Sequence, residues 1–303
     1  MHGVLNVNKP SGPTSHDIVA RIRRILGMKR VGHAGTLDPL ASGVLLVCVG
    51  QATRIVEYLM DWHKSYRATA VFGAETDTED ATGRITCETD ASSVTEELVR
   101  SVLPRFAGRI RQVPPMVSAV HYQGKRLYEL ARKGDVVERE AREVEIYSIR
   151  LTDFQSGVRP TAVLDVDCSK GTYIRTLCAD IGKALGCGGY MSVLVRTGVG
   201  CFRVEDALAP DKIEELNNEG RLGEALHPID AVLGGMPEAE LTSEQAERVA
   251  HGTEIPAVQI PDLPAVGSPV RLHDPDGRLL GIGVVRLHRG IPMLKPDKMF
   301  AEL

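Results

Sequence analysis

The chain has 303 residues, 43% of them apolar and 25% charged, with a formal net charge of −4. That length is compatible with two domains, and the balance is that of a globular chain able to bury a core. It holds no run of about 18 apolar residues, and its start, "MHGVLNVNKPSG", lacks a basic stretch followed by an apolar one, so a cytoplasmic protein with no membrane partner is expected.

In chain order, "GVLNVNKPSG" predicts a short strand ending in a Pro-Gly turn. "TSHDIVARIRRILG" predicts a helix, with Thr14 and Asp17 at capping-box spacing and Gly27 as its stop. Its apolar face is Ile18, Val19, Ile22, Ile25 and Leu26. The run "GVLLVCVG" (43–50) is apolar throughout, as a strand covered on both faces would be. A short helix is expected in "ATRIVEYLM" and an alternating strand in "KSYRATAVFG". "TEELVRSVLPRF" reads as helix up to Pro104, "EVEIYSIRLTDF" and "TAVLDVDCSKG" as strands, "TYIRTLCADIGKALG" as helix and "YMSVLVRTGVGCF" as strand. Strict βαβ alternation is missing, which points to an α+β domain around a mixed, mainly antiparallel sheet flanked by helices.

Residues 107–143 are basic, Pro-containing and weakly periodic, the character of a functional insertion. After residue 236 the pattern changes to a helix, "LTSEQAERVAHG", and a hairpin with a D-P-D-G turn in "VRLHDPDGRLLGIGVVRL". Two domains are therefore expected, 1–236 and a small β-rich 237–303.

The six cysteines form no C-x-x-C pair and the nine histidines no H-x-x-x-H or H-E-x-x-H spacing, which argues against a disulfide scaffold and a zinc site. Charge is unevenly spread: residues 1–70 carry a net +5, 71–100 a net −6, 101–150 a net +4, and 211–303 a net −7. Two basic blocks around an acidic one can build a face for nucleic acid; solvated charge with no ligand is the competing reading.

"GHAGTLDPLASG" (32–43) places a carboxylate, Asp38, in a Gly-rich loop just before the apolar strand. Asp-Pro commonly starts a turn, so Asp38 can simply be a turn residue. A rigid strand behind it, glycines that admit close approach, and His33 and Thr36 beside it equally suit a nucleophile. Chemistry alone leaves both open.

Five blocks, "NKPSGPTS", "GHAGTLDPLASGVLLVCVGQATR", "KSYRATAVFGAETDTEDATG", "VPPMVSAVHYQGKRLYELARKG" and "CSKGTYIRTLCADIGKALGCGG", resemble in order the signature blocks of the tRNA pseudouridine synthase B family, across roughly residues 3 to 200. The tail resembles, more loosely, the PUA-type RNA-binding domain such enzymes carry. The resemblance implies a pseudouridine synthase fold, tRNA (T arm and T loop) as partner, no cofactor or metal, and no obligate protein partner, so that a monomer suffices. It implies Asp38 as catalytic aspartate and Tyr66 as the tyrosine that stacks on uracil. Tyr173 then contacts the base, Arg175 pairs with Asp38, and Leu194 packs against the base. An Arg beside Asp38 is expected to lower its pKa. His33 aligns with the residue that fills the gap left by a flipped-out nucleotide, which a stacked tRNA base requires. Residues 112–136 correspond to a thumb that closes over the T arm, with Lys125, Arg126, Arg132 and Lys133 for RNA contact and Tyr122 and Tyr128 interleaved. Lys9 and Lys170 are further candidates for touching phosphate or buttressing the pocket. The acidic "AETDTEDATG" is expected to be structural. Ser42 departs from the family's usual threonine after "DPLA". A guide-RNA-dependent relative and a non-catalytic RNA-binding or folding factor are the competing functions. "DPLASG" resembles the stand-alone bacterial form, and the presence of Asp38, Tyr66 and Arg175 together argues against a pure binding module.

Overall fold

The computed structural model describes residues 1–116, 121–122, 125–126, 137–260 and 263–300. The elements begin with β1 (Gly3–Lys9), α1 (Ser15–Leu26), β2 (Val31–Ala34), β3 (Ser42–Val49), α2 (Val56–Met60), β4 (Lys64–Phe72), β5 (Ala74–Thr76), β6 (Ile85–Glu88) and α3 (Glu96–Val102). They continue with β7 (Gly108–Gln112), β8 (His121–Tyr122), β9 (Lys125–Arg126), β10 (Arg142–Gln155), β11 (Thr161–Cys168), α4 (Ile174–Ala184), β12 (Gly189–Val199) and β13 (Phe202–Arg203). α5 (Pro210–Asn218), β14 (Leu226–His227), α6 (Ile229–Val232), β15 (Glu238–Glu240), α7 (Ser243–Ala250), β16 (Ile255–Pro256), β17 (Pro269–His273), β18 (Leu279–His288) and β19 (Ile291–Met299) follow.

The large sheet runs β14-β1-β3-β12-β4-β11-β10-β7, with β2 beside β3 and β13 beside β12. Among the described residues every ladder in it is antiparallel except β12 on β3, where Val195 faces Ser42 and Arg196 faces Gly43. This is the mixed α+β sheet expected from the sequence. The apolar run of β3 alternates between two cores: Leu45, Val47 and Val49 join one cluster with residues of α1 and α4, and Val44, Leu46 and Cys48 join another on the opposite face. A strand buried on both sides needs no polar alternation, which is why its sequence shows none.

α1 starts and stops where its caps dictate. The Thr14 side chain accepts from the Asp17 amide, Asp17 returns the bond to the Thr14 backbone, and Gly27 closes the helix in the left-handed conformation. The helix expected in "ATRIVEYLM" is instead a 3-10 turn over Gly50–Ile55 followed by the five-residue α2. Asp274 organises the hairpin turn between β17 and β18 by accepting from the amides of Asp276 and Arg278.

A separate five-stranded sheet, β15-β17-β18-β19-β16, encloses its own apolar cluster. It meets the large sheet through Leu279, Ile282 and Phe300, which pack with Ile229, Val232 and Leu233 around α6. Asp230 of α6 ties the join by accepting from Arg271 at 2.7 Å and pairing with His273 Nε2 at 3.0 Å. Among the described residues no helix is long and apolar enough to cross a membrane.

Candidate active site

The loop between β2 and β3 carries Asp38, and the first signature block holds it. Lys9 at the end of β1 is fully buried and its ammonium donates to the carbonyls of Pro10 (2.9 Å), Pro39 (3.3 Å) and Ala41 (2.7 Å). Ser15 Oγ, in the first turn of α1, donates to the Leu37 carbonyl at 3.1 Å and accepts from the Leu37 amide at 2.8 Å. Gly43, where the loop enters β3, has φ 101°, and a Cβ there would meet the Arg196 carbonyl oxygen at 2.2 Å. No other residue fits that position without moving the strand.

Arg175, in the first turn of α4, is 4% exposed and reaches Asp38 Oδ2 through Nε at 3.0 Å. Its Nη1 lies 3.5 Å from Asp80 Oδ2 and donates to the Thr78 carbonyl at 3.3 Å. Asp80 is itself buried and fixed: its Oδ1 accepts from the Thr82 amide (2.9 Å), Thr78 Oγ1 (2.8 Å) and Thr82 Oγ1 (2.5 Å). Thr176 donates to Glu79 at 2.6 Å, fastening the same loop to α4. The acidic block is thus structural, as expected, but it also supplies the second carboxylate on Arg175. Sequence reading missed Asp80, because its partner lies 95 residues further along the chain.

Asp38, Tyr66, Tyr173, Arg175, Leu194 and Lys170 line a single cavity of about 580 Å³, together with Lys64 and Arg196. Tyr66 lies on β4 opposite Arg196 of β12, and Leu194 lies two residues before Arg196 on the same strand face. Tyr173, at the start of α4, is held by Gln112 of β7, whose side-chain amide accepts from the Tyr173 amide (2.9 Å) and donates to its carbonyl (3.2 Å). Lys170 is exposed and paired with Asp61 at 2.6 Å.

Three expectations need correction or refinement. First, the carboxyl of Asp38 is not lowered overall: burial pushes it above the ordinary aspartate range, and the pull of Arg175 only partly opposes that. Second, Lys9 cannot touch phosphate, since it is buried with its donors spent on three carbonyls; burial lowers it to about 8. Third, His33, on β2, is not among the cavity-lining residues. Its ring sits edge-on to His16 with centroids 6.0 Å apart, and burial drives it down to about 4, so it is neutral at physiological pH. Lys125 and Arg126 lie on the two-residue strand β9, paired with β8. Arg132, Lys133 and Tyr128 lie outside the described residues. Lys64 and Arg196 are cavity residues that the sequence reading did not single out; a charged residue inside an otherwise apolar strand was the available signal for Arg196.

Comparison with known proteins agrees with this geometry. Residues 23–174 match the model described as "TruB family pseudouridylate synthase (N terminal domain)". Residues 175–234 match "tRNA pseudouridylate synthase B C-terminal domain" and 237–292 "Pseudouridine synthase II TruB, C-terminal". The chain belongs to the TruB family of pseudouridylate synthases. Among TruB relatives, a tRNA pseudouridine synthase B of Symbiobacterium thermophilum is 53% identical over 85% of this chain and 84% of its own length. One from Syntrophomonas wolfei is 45% identical over 99% of both. A solved structure of an H/ACA RNP bound to a substrate RNA containing 2'-deoxyuridine superposes with a TM-score of 0.75 at 26% identity, covering 99% of this chain and 85% of that one.

Proposed function

We propose that this pseudouridine synthase isomerises uridine 55, in the T loop of tRNA, with Asp38 as nucleophile. The observation that carries the reading is the Asp38–Arg175 pair in the wall of a cavity that Tyr66, Tyr173 and Leu194 also line. The names of its relatives support tRNA as the substrate. In this reading the carboxylate bonds to the flipped-out nucleotide and the C1′–N1 bond breaks. The base then turns within the cavity and C5 joins C1′ as the bond to Asp38 breaks; the C5 proton leaves and N1 takes one up. Substrate and product are isomers, so the reaction consumes nothing and needs no cofactor. Arg175 keeps a share of Asp38 ionised against the cost of burial. Tyr66 stacks on the base and takes part in proton movement at C5; Tyr173 and Leu194 confine the base. Neutral His33, outside the cavity, fills the gap in the RNA stack.

Residues 1–236 serve as the catalytic unit, with 107–143 as the thumb carrying Lys125, Arg126, Arg132 and Lys133 toward the RNA backbone, and Lys170 reaching it from the rim. Residues 237–303 serve as a PUA-like RNA-binding domain. The protein works as a monomer in the cytoplasm, without a guide RNA.

The test uses purified protein alone with unmodified tRNA tritiated at uracil C5, measuring label released to water. Release is expected, and Asp38→Asn lowers it by about 10⁴-fold or more while tRNA still binds. Release only after a guide RNA is added, or undiminished release by Asp38→Asn, would sink the reading.

A further inference from the structure

Arg196 is the largest of the fully buried side chains, at 1% exposure, in the middle of the large sheet. Among the described residues no carboxylate lies within ion-pair reach of it; its charge is met by main-chain carbonyls. Nε donates to Val44 at 2.7 Å, Nη1 to Thr36 at 3.3 Å and Nη2 to Gly35 at 3.1 Å. Gly35 and Thr36 begin the loop that carries Asp38, and Val44 lies in the first half of the strand that follows it. Tyr66 lies directly opposite Arg196 across the β4–β12 ladder, and both line the cavity. A register shift in the β12–β4 ladder falls between Arg196 and Gly198, the kind of bulge that re-aims a side chain.

For stability alone the arrangement is a poor choice. An unpaired buried cation is expensive, and an apolar residue would fill the strand at lower cost. What a guanidinium adds is five N–H donors in a rigid planar fork, enough to grip several acceptors at once. We propose that Arg196 is a positioning residue for the isomerisation, fixing the Asp38 loop in one rigid frame with Tyr66, its cross-strand neighbour. The proposal rests on the roles given above to Asp38 and Tyr66. Burial pushes the Tyr66 phenol up, and the charge of Arg196 is the foremost influence opposing it, so the same guanidinium also eases loss of the phenolic proton. Lysine keeps the charge but has its three donors on one nitrogen, so it cannot span the carbonyls of Gly35, Thr36 and Val44 together.

The experiment compares wild type, Arg196→Lys, Arg196→Gln, Tyr66→Phe and Arg196→Lys/Tyr66→Phe in single-turnover tritium release, with enzyme in excess. tRNA affinity and thermal melting are measured on each. Arg196→Lys is expected to bind tRNA as wild type does but to react about a hundredfold more slowly per bound complex, the cost of a misplaced reacting group. Arg196→Gln is expected to lose at least as much. In the Tyr66→Phe background the lysine substitution costs much less than in wild type, because part of its effect runs through the phenol. Loss confined to melting temperature or tRNA affinity, with the rate per complex unchanged, would overturn the proposal. So would an equal fold-loss in both backgrounds. Tyr66→Phe at wild-type rate would sink the reading of Tyr66 as well, whereas a slow Tyr66→Phe with additive Arg196→Lys would overturn the proposal and leave the reading of Tyr66 standing.

Discussion

In and against the large sheet, Lys9, Arg175 and Arg196 are buried, and each ammonium or guanidinium is held by carbonyls or carboxylates of segments that surround the cavity. In the five-stranded sheet the basic residues of the β18–β19 hairpin, Arg286, His288 and Arg289, face solvent beside exposed Leu287 and Ile291. There the buried Arg271 and His273 sit at the join and point at Asp230. The difference separates two uses of charge. Fixed, desolvated charges near reacting atoms act without reorganising during the reaction, but they lower stability. Solvated charges on a hairpin tip are screened and adjustable, suited to contact rather than chemistry.

The strongest way to break this contrast is Arg175→Gln, which strips the counter-charge from both Asp38 and Asp80. The rate should fall by about 10²–10³-fold. Its pH profile should shift too. In the proposed reaction the ionised carboxylate is the reactive form, so the rate should rise with pH as Asp38 deprotonates, with a half-point above the ordinary aspartate value of about 4. Arg175 pulls that half-point down, so the variant's must lie higher; single-turnover rates against pH decide, and an unmoved half-point would refute the role given to the pair.

A smaller effect should come from Asp230→Ala. It leaves Arg271 and His273 without their shared acceptor, at a cost of about 1–3 kcal/mol, seen in chemical denaturation. Tritium release per bound tRNA should not change, because no cavity residue is touched. A matching loss of rate would mean that the join, too, positions the site.

The smallest effect concerns His33. Unfolded, it takes up a proton near its ordinary 6.5; folded, only near 4. The unfolded state therefore binds more protons between those values, and stability falls as pH drops through that window. His33→Gln should flatten that part of the stability–pH curve, measured by denaturation at neutral and mildly acid pH.

Much of this architecture is legible in local residues. The capping box of α1, its Gly27 stop, the two-sided apolar run of β3 and the turn before β18 each depend on neighbours within a few positions. The four-residue β2, and β19 with Pro292 and Pro296 inside it, are not legible that way. They become strands because β3 and β18 offer them partners. Among site residues, Asp38, Tyr66, Tyr173 and Arg175 stood out through the ordered signature blocks and Leu194 through the less distinctive strand "YMSVLVRTG"; the structure places all five around one cavity. Asp80 and Arg196 did not, since an Asp among threonines and an Arg in a strand read as solvated until their partners are in place.

By itself, then, the amino-acid order determined the fold class, the ends of α1, the buried run of β3 and most of the residues found around the cavity. Only the tertiary structure decided the condition of those residues: that Lys9 is a brace rather than a phosphate ligand, that Arg196 faces inward, and that burial outweighs Arg175 at Asp38. The reason is physical. Desolvation and Coulomb interaction depend on what surrounds a charge in space, and for these residues the surroundings come from segments far apart along the chain.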